Sequence, residues 1–206
     1  MGGKNYCTFY IIRHGQTEWN LKKIIQGHKN SPLTEIGIKI AKEHAKKLKN
    51  IKFDAVFSSD TLRAKQTAEI ISLKKDIAVK TTQLLRERSF GKYEGRSLDI
   101  FTNELKQLVE KFEKMSDEGR KKHKYPTMES DEQIVSRFIT FLREIAAAYP
   151  EKTVLVVSHS VIISALLIHL GHIKYHENPT YLFPHDSCLI LESDGVEFDV
   201  KEVYKI

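Results

Sequence analysis

Four short stretches of this chain carry side chains able to do chemistry. Arg13-His14-Gly15-Gln16-Thr17-Glu18-Trp19-Asn20 follows one apolar run. Ser58-Ser59-Asp60, with Arg63 three residues on, follows a second, and Ser158-His159-Ser160 follows a third. Two arginines and two histidines thus emerge where apolar runs end. Two guanidinium groups, with the free N–H groups of helix N-termini, suit a dianionic oxyanion, above all a phosphoryl group. A neutral imidazole is a competent nucleophile toward phosphorus. Its reference pKa is about 6.5, and neighbouring guanidinium charge lowers it. Adjacent strand residues point to opposite faces, so Arg13 and His14 share one site only if the chain turns, and Gly15 permits a turn. The fourth stretch, Leu85-Arg86-Glu87-Arg88-Ser89-Phe90-Gly91, has no regular periodicity. Glu87 is its candidate proton donor to a leaving alkoxide and acceptor from an attacking water.

The elements that must position these groups alternate. Thr8–Ile12 reads as a strand, Thr34–Leu48 as a helix with Ile36, Ile40, Ala41 and Leu48 on its apolar face, and Asp54–Phe57 as a strand. Ser59 is placed as the cap of a helix through Ile71. Ile77–Lys80 is a weak strand and Ser97–Met115 a polar helix. Ser130 and Gln133 form a capping box for a helix carrying Ile134, Val135, Phe138, Ile139, Leu142 and Ile145. Thr153–Val157 reads as a strand covered on both faces. Val161–Leu170 is an apolar helix stopped by Gly171. Strands at Cys188–Glu192 and Glu197–Tyr204 are joined through Asp194-Gly195. Gly119–Glu129 and Gly171–Asp186 read as loops or short helices. The pattern predicts one α/β domain over residues 1–206, a three-layer sandwich whose largely parallel sheet has helices on both faces. Ligands of such sheets bind at the carboxyl ends of the strands, where these four stretches lie.

Arg13-His14-Gly15-Gln16-Thr17-x-Trp19-Asn20 resembles the opening motif of the histidine phosphatase superfamily, which includes the cofactor-dependent phosphoglycerate mutases. The resemblance continues through Gln26-Gly27, Ser31-Pro32-Leu33-Thr34, Ser58-Ser59-x-x-x-Arg63-Ala64-x-x-Thr67, Leu85-x-Glu87, Phe90-Gly91-x-x-Glu94-Gly95 and Ser158-His159, covering about residues 8–192. It implies a phosphoglycerate mutase-like fold. It implies that His14 is the phosphorylated nucleophile, that Arg13, Arg63 and His159 hold the phosphoryl oxygens, and that Glu87 is the proton donor. Asn20, Gln26 and Gly27 would line the site, and Thr17 and Ser160 fall in the same substrate-binding group. Ser160 stands where the family often has glycine, which would narrow the backbone approach to phosphate. The resemblance implies no metal or organic cofactor for a phosphatase, and a 2,3-bisphosphoglycerate primer for a mutase. Mutases of the family carry a lysine about where Leu98 sits and an asparagine about where Val161 sits. The reading is therefore a phosphomonoesterase acting on small phosphorylated metabolites. The alternatives are a phosphoglycerate mutase and a non-catalytic phosphate-binding protein.

Each group also has a plainer reading. His14 alone would be an exposed turn histidine, Arg63 a solvated helix residue, His159 a helix cap, and Glu87 a loop partner of Arg86 or Arg88. Cys7 and Arg13 have the spacing of a cysteine phosphatase loop, but the residues between them form an apolar strand. His169, His172 and His176 suggest a metal cluster, yet Gly171 interrupts their helix and no carboxylate or Cys completes a zinc set. Arg120–Lys124 is a basic run that suits a solvated loop, a nucleic-acid patch, or an overhang meeting a second anionic group.

Composition narrows the classes. The 206 residues are 41% apolar and 29% charged, which suits a soluble globular core rather than a disordered chain. The net charge of +6 fits a small anionic substrate. No basic stripe interleaved with aromatics points to nucleic acid. No run nears the about 18 apolar residues of a membrane span. The start lacks a signal region, and Tyr6 stands where a myristoylation signal wants Ser or Thr. Two cysteines in apolar stretches make no disulfide framework and suit a cytoplasmic protein, monomer or homodimer.

Overall fold

The computed structural model describes residues 6–73, 75–123, 126–177 and 182–205. The chain runs β1 (Cys7–Arg13), α1 (Glu18–Leu21), α2 (Glu35–Lys47), β2 (Ala55–Ser59), α3 (Leu62–Ser72), β3 (Val79–Thr82), α4 (Leu98–Glu113), α5 (Asp117–Lys122), α6 (Asp131–Ala148), β4 (Thr153–Ser158), α7 (Ser160–His169), β5 (Ser187–Ser193) and β6 (Phe198–Lys205). The strands form one sheet in the order β3-β2-β4-β1-β5-β6. The first four are mutually parallel, β5 runs antiparallel to β1, and β6 antiparallel to β5 with an irregularity at Ile190/Leu191. The sheet is thus mostly parallel and mixed at one edge.

Strand alternation loads both faces. Phe9, Ile11, Val154 and Val156 pack with Phe138 and Leu142 of α6 and with Ile162 and Leu166 of α7. Ile12, Val56, Leu155 and Val157 pack with Leu48 beyond α2 and with Ala64, Ala68 and Ile71 of α3. β4 is buried on both sides, as its unbroken apolar run predicts. α7 is apolar all round because other elements cover it all round. It ends at Gly171 (φ 72°), where the His172 N–H donates to the Leu167 carbonyl and the Gly171 N–H to Ile168. A smaller cluster of Ile25, Tyr93, Leu105 and Met128 seats α4 on loops beside the strand ends.

Several boundaries differ from the sequence reading. Ser59 is the last residue of β2, not a cap. Thr61 occupies the N-cap of α3, and its side chain makes no capping hydrogen bond. The weak strand lies two residues further on, at Val79–Thr82, where it pairs with β2. The short helix α1 lies where no regular element was predicted, and α5 runs into the stretch read as loops or short helices. The capping box of Ser130 and Gln133 is present in full. Among the described residues, no helix is long and apolar enough to cross a membrane.

Candidate active site

β1 leaves the sheet between β4 and β5, and the His14 N–H donates to the Ser158 carbonyl across 3.0 Å. Gly15 then passes over α2. A Cβ on Gly15 would lie 2.4 Å from the Gly37 carbonyl oxygen, and one on Gly37 would lie 2.1 Å from the Gln16 carbonyl oxygen. The two glycines let the turn rest directly on the helix backbone. Close approach is what demands glycine at Gly15, beyond the turn itself. The Gly15 N–H donates to Thr67 Oγ1 (3.0 Å), whose hydroxyl donates to the Arg63 carbonyl (2.7 Å), so α3 ties to the same turn.

His14 is only 3% exposed. Its Nδ1 lies 2.7 Å from the Gly15 carbonyl, which can only accept, so Nδ1 carries the proton. Nε2 is left with its lone pair and accepts from Arg63 Nε at 3.2 Å. The rest of the Arg63 guanidinium donates to the Lys29 and Gly27 carbonyls (2.7 and 2.8 Å). Arg13 donates to the Phe183 carbonyl (2.8 Å), and its Nε is buried with no protein partner. Burial, then the charge of Arg63 and of the other site groups, holds His14 well below the usual histidine range. Burial also draws both arginines down to about 10, so they stay cationic at neutral pH.

His159 occupies the N-cap of α7 but makes no capping hydrogen bond with its side chain. Its ring is wholly buried and meets the His14 ring edge-on, centroids 5.1 Å apart. Nε2 lies 3.3 Å from Thr61 Oγ1, while Nδ1 is buried without a protein partner. A third imidazole completes the cluster. His185 Nδ1 donates to the His14 carbonyl (2.6 Å), and His44 holds the His185 carbonyl (2.8 Å). Burial, then the charge of Arg13, pushes His185 down to about 4.

The guanidinium groups on either side of Glu87 have carboxylate partners of their own. Arg86 pairs with Asp60 through two nitrogens. Arg88 pairs with the buried Asp131, which also accepts from the Tyr175 hydroxyl (2.8 Å). In this extended stretch, Glu87 points the other way, toward the N-terminus of α7. Oε1 accepts from the N–H groups of Arg88 (2.8 Å) and Ile162 (3.2 Å), and Oε2 from Val161 (3.1 Å). The backbone beneath it is braced by Arg137 of α6, which donates to the Leu84, Arg86 and Glu87 carbonyls and to Glu129. Glu129 in turn accepts from the Ser89 N–H (2.7 Å).

Arg13, His14, Arg63 and Glu87 open onto one cavity of about 260 Å³ at the carboxyl ends of β1, β2 and β4. Asn20, Gln26, Gly27 and Ser160 border it as well. Thr17 does not; it is buried and caps α1, and its N–H and hydroxyl both donate to Asn20 Oδ1. That leaves the Asn20 amide nitrogen for the cavity. Gln26 Oε1 is buried without a protein partner. The Ser160 hydroxyl is engaged with the backbone of Phe183 in both directions. Gly27 has φ 50°, and a Cβ there would run into the Glu94 carboxylate.

With this arrangement in view, the profile of the histidine phosphatase superfamily (branch 1) matches residues 9–205. The chain belongs to that superfamily. This member is 32% identical over 161 residues to a Bacillus subtilis protein described as "uncharacterized phosphatase PhoE", covering 78% of this chain and 76% of that one. It is 33% identical over 158 residues to the Proteus mirabilis "probable phosphoglycerate mutase GpmB", covering 77% of this chain and 72% of that one. Its fold matches the solved structure of Bacillus stearothermophilus YhfR with a TM-score of 0.82 at 27% identity, over 95% of each chain.

In this superfamily member, the turn of His14 and the ends of β2 and β4 bring Arg13, His14, Arg63 and His159 together. His159 lies behind His14 and has no surface on the cavity. The described part of the basic run, Arg120–His123, does not border the site cavity. Lys121 and Lys122 line a separate cavity of about 460 Å³ against α6 and α7, and Lys124 lies outside the described residues. Among the described residues, no three His, Cys, Asp or Glu are arranged to hold a metal ion. His185, His44, Gly37 and Arg137 were not legible as site residues. His185 alone left a trace, a histidine next to a proline just before a predicted strand.

Proposed function

We propose that the protein is a phosphomonoesterase that works through a phosphohistidine on His14. The observation that carries this reading is the state of that imidazole. It is neutral, with its proton fixed on Nδ1, and its Nε2 lone pair lies under Arg63 in the cavity that Glu87 shares. Nε2 attacks phosphorus as the ester P–O bond breaks, and Glu87 gives its proton to the leaving alkoxide. Arg13 and Arg63 take the charge that builds on the phosphoryl oxygens, and His159 packs edge-on against the His14 ring. Water then attacks the phosphohistidine and returns a proton to Glu87, releasing inorganic phosphate. Asn20 and Gln26 orient the phosphoryl group, and Thr17 and Ser160 position the walls. No metal or organic cofactor takes part in this reaction.

Hydrolysis is favoured over mutase chemistry by two side chains. Leu98 and Val161 both border the cavity, at the positions where the resemblance puts a lysine and an asparagine in mutases. Neither can hold the second anionic group of a phosphoglycerate. The test is phosphorus NMR with 3-phosphoglycerate, a trace of 2,3-bisphosphoglycerate, and EDTA. Inorganic phosphate without the 2-isomer supports the phosphatase. Growth of 2-phosphoglycerate without inorganic phosphate would replace it with the mutase.

A further inference from the structure

We infer that the alcohol half of the substrate is apolar, an alkyl or aryl group, and not a phosphorylated or carboxylated one. This rests on the phosphomonoesterase reading and specifies its substrate class. The cavity has two unlike ends. Arg13 and Arg63 stand at the His14 end. The rest of the lining includes Ile24, Phe90, Leu98, Val161 and Leu182. Leu98 and Leu182 are 45% and 58% exposed. A lone exposed leucine is ordinary. Two from distant segments, meeting Ile24 and Val161 around one concave site, make an apolar recess of the kind that binds ligands.

Among the described residues, several groups that could receive a second anion are already engaged. The Val161 and Ile162 N–H groups, at the N-terminus of α7, are spent on Glu87. At the N-terminus of α4, the Leu98 N–H donates to the Lys23 carbonyl (2.7 Å) and the Ile100 N–H to Ser97 Oγ (3.3 Å). Asp99 adds a carboxylate to that first turn. Among the described lining residues, Lys23 is the one cation besides the two arginines. It is exposed, so its pull on an anion is weak and screened by salt. A second phosphate would therefore lose water against leucine and isoleucine and gain little beyond the weak pull of Lys23.

The test uses ethyl, butyl and hexyl phosphate, whose leaving groups have nearly the same acidity, alongside 3-phosphoglycerate and fructose 1,6-bisphosphate. The expected result is a kcat/KM that rises about three- to fourfold per methylene reaching the recess, with hexyl phosphate ahead of both anionic esters. L98K and V161N should lower the ratio of hexyl phosphate to 3-phosphoglycerate turnover. That ratio is taken within one sample, so it is independent of the fraction folded. A flat alkyl series, or a preference for either anionic ester, with phosphate still released, would overturn the inference alone. No phosphate from any ester would overturn the phosphomonoesterase reading and this inference with it.

Discussion

Arg63 Nε donates to His14 Nε2 across 3.2 Å, while His14 Nδ1 is held by the carbonyl of the next residue. Both ring nitrogens are thereby assigned, and the one with the lone pair faces the guanidinium. A cation at that point does two things. It disfavours protonation of His14, and in the proposed reaction it would stand where phosphoryl oxygens need a donor. In the proposed reaction, Arg63 would exchange one acceptor for another at little reorganisation cost.

The buried histidines give stability a definite pH dependence. Burial is the first cause that lowers the pKa of His14, His44, His159 and His185. An unfolded histidine protonates near pH ~6.5. As pH falls through that value, the unfolded chain binds protons that the folded chain refuses, so stability falls. For His185 the loss continues until the folded group protonates at about 4. Each such histidine contributes up to about 1.4 kcal/mol per pH unit. Calorimetry from pH 8 to 5 should show Tm level above about 6.5 and falling below it, with a shallower fall in H185N. A Tm independent of pH in that window would contradict the assignment of neutral histidines.

Glu87→Gln removes the proposed proton donor while keeping an acceptor near the α7 N–H groups. Alkyl phosphate turnover should fall by about 10²–10⁴. Nitrophenyl phosphate, whose leaving group needs little protonation, should lose much less. Equal losses on the two substrates would count against the acid role.

Arg137 acts on Glu87 only through the backbone, since its guanidinium holds the Leu84, Arg86 and Glu87 carbonyls. Arg137→Ala should let the acid drift and cost about 10²-fold on alkyl phosphates. The loss should again be smaller on nitrophenyl phosphate, and Arg137→Lys should recover part of it. A residue that merely stabilises the fold would lower both substrates together.

Gly37→Ala forces a Cβ to within 2.1 Å of the Gln16 carbonyl, and that oxygen belongs to backbone that cannot swing aside. Urea unfolding should show a loss of about 1–3 kcal/mol, and kcat should fall because the His14 turn moves. Gly119→Ala is the control. Its Cβ would meet nothing closer than 3.4 Å, in the middle of α5, and stability should rise by up to about 1 kcal/mol.

The strands and the groups that follow them were legible because burial writes itself as apolar runs, and polar residues abruptly follow where those runs end. Arg13, His14, Arg63 and His159 follow from that punctuation together with the motif order. Glu87 was legible only as one of two readings, and the carboxylate partners of Arg86 and Arg88 weigh against the loop ion pair. Contacts that exist only in three dimensions left no such signal. Gly37 lies 22 positions from Gly15 and needs glycine because another backbone touches it. His185 meets a carbonyl 171 positions away. Arg137 sits beside Phe138 in an amphipathic helix and looks like any solvent-side arginine. The misplaced cap at Ser59 has a local cause. β2 runs two residues past its apolar core, and Thr61 is the residue whose backbone turns into the helix.

The most direct test of the central claim is rapid quenching of enzyme mixed with ³²P-labelled nitrophenyl phosphate, in wild type and His14→Ala. The account predicts a protein-bound label that is acid-labile and alkali-stable, carried on the peptide containing His14. It predicts no label and no turnover in His14→Ala. Turnover by His14→Ala within tenfold of wild type, or a label on another residue, would contradict it.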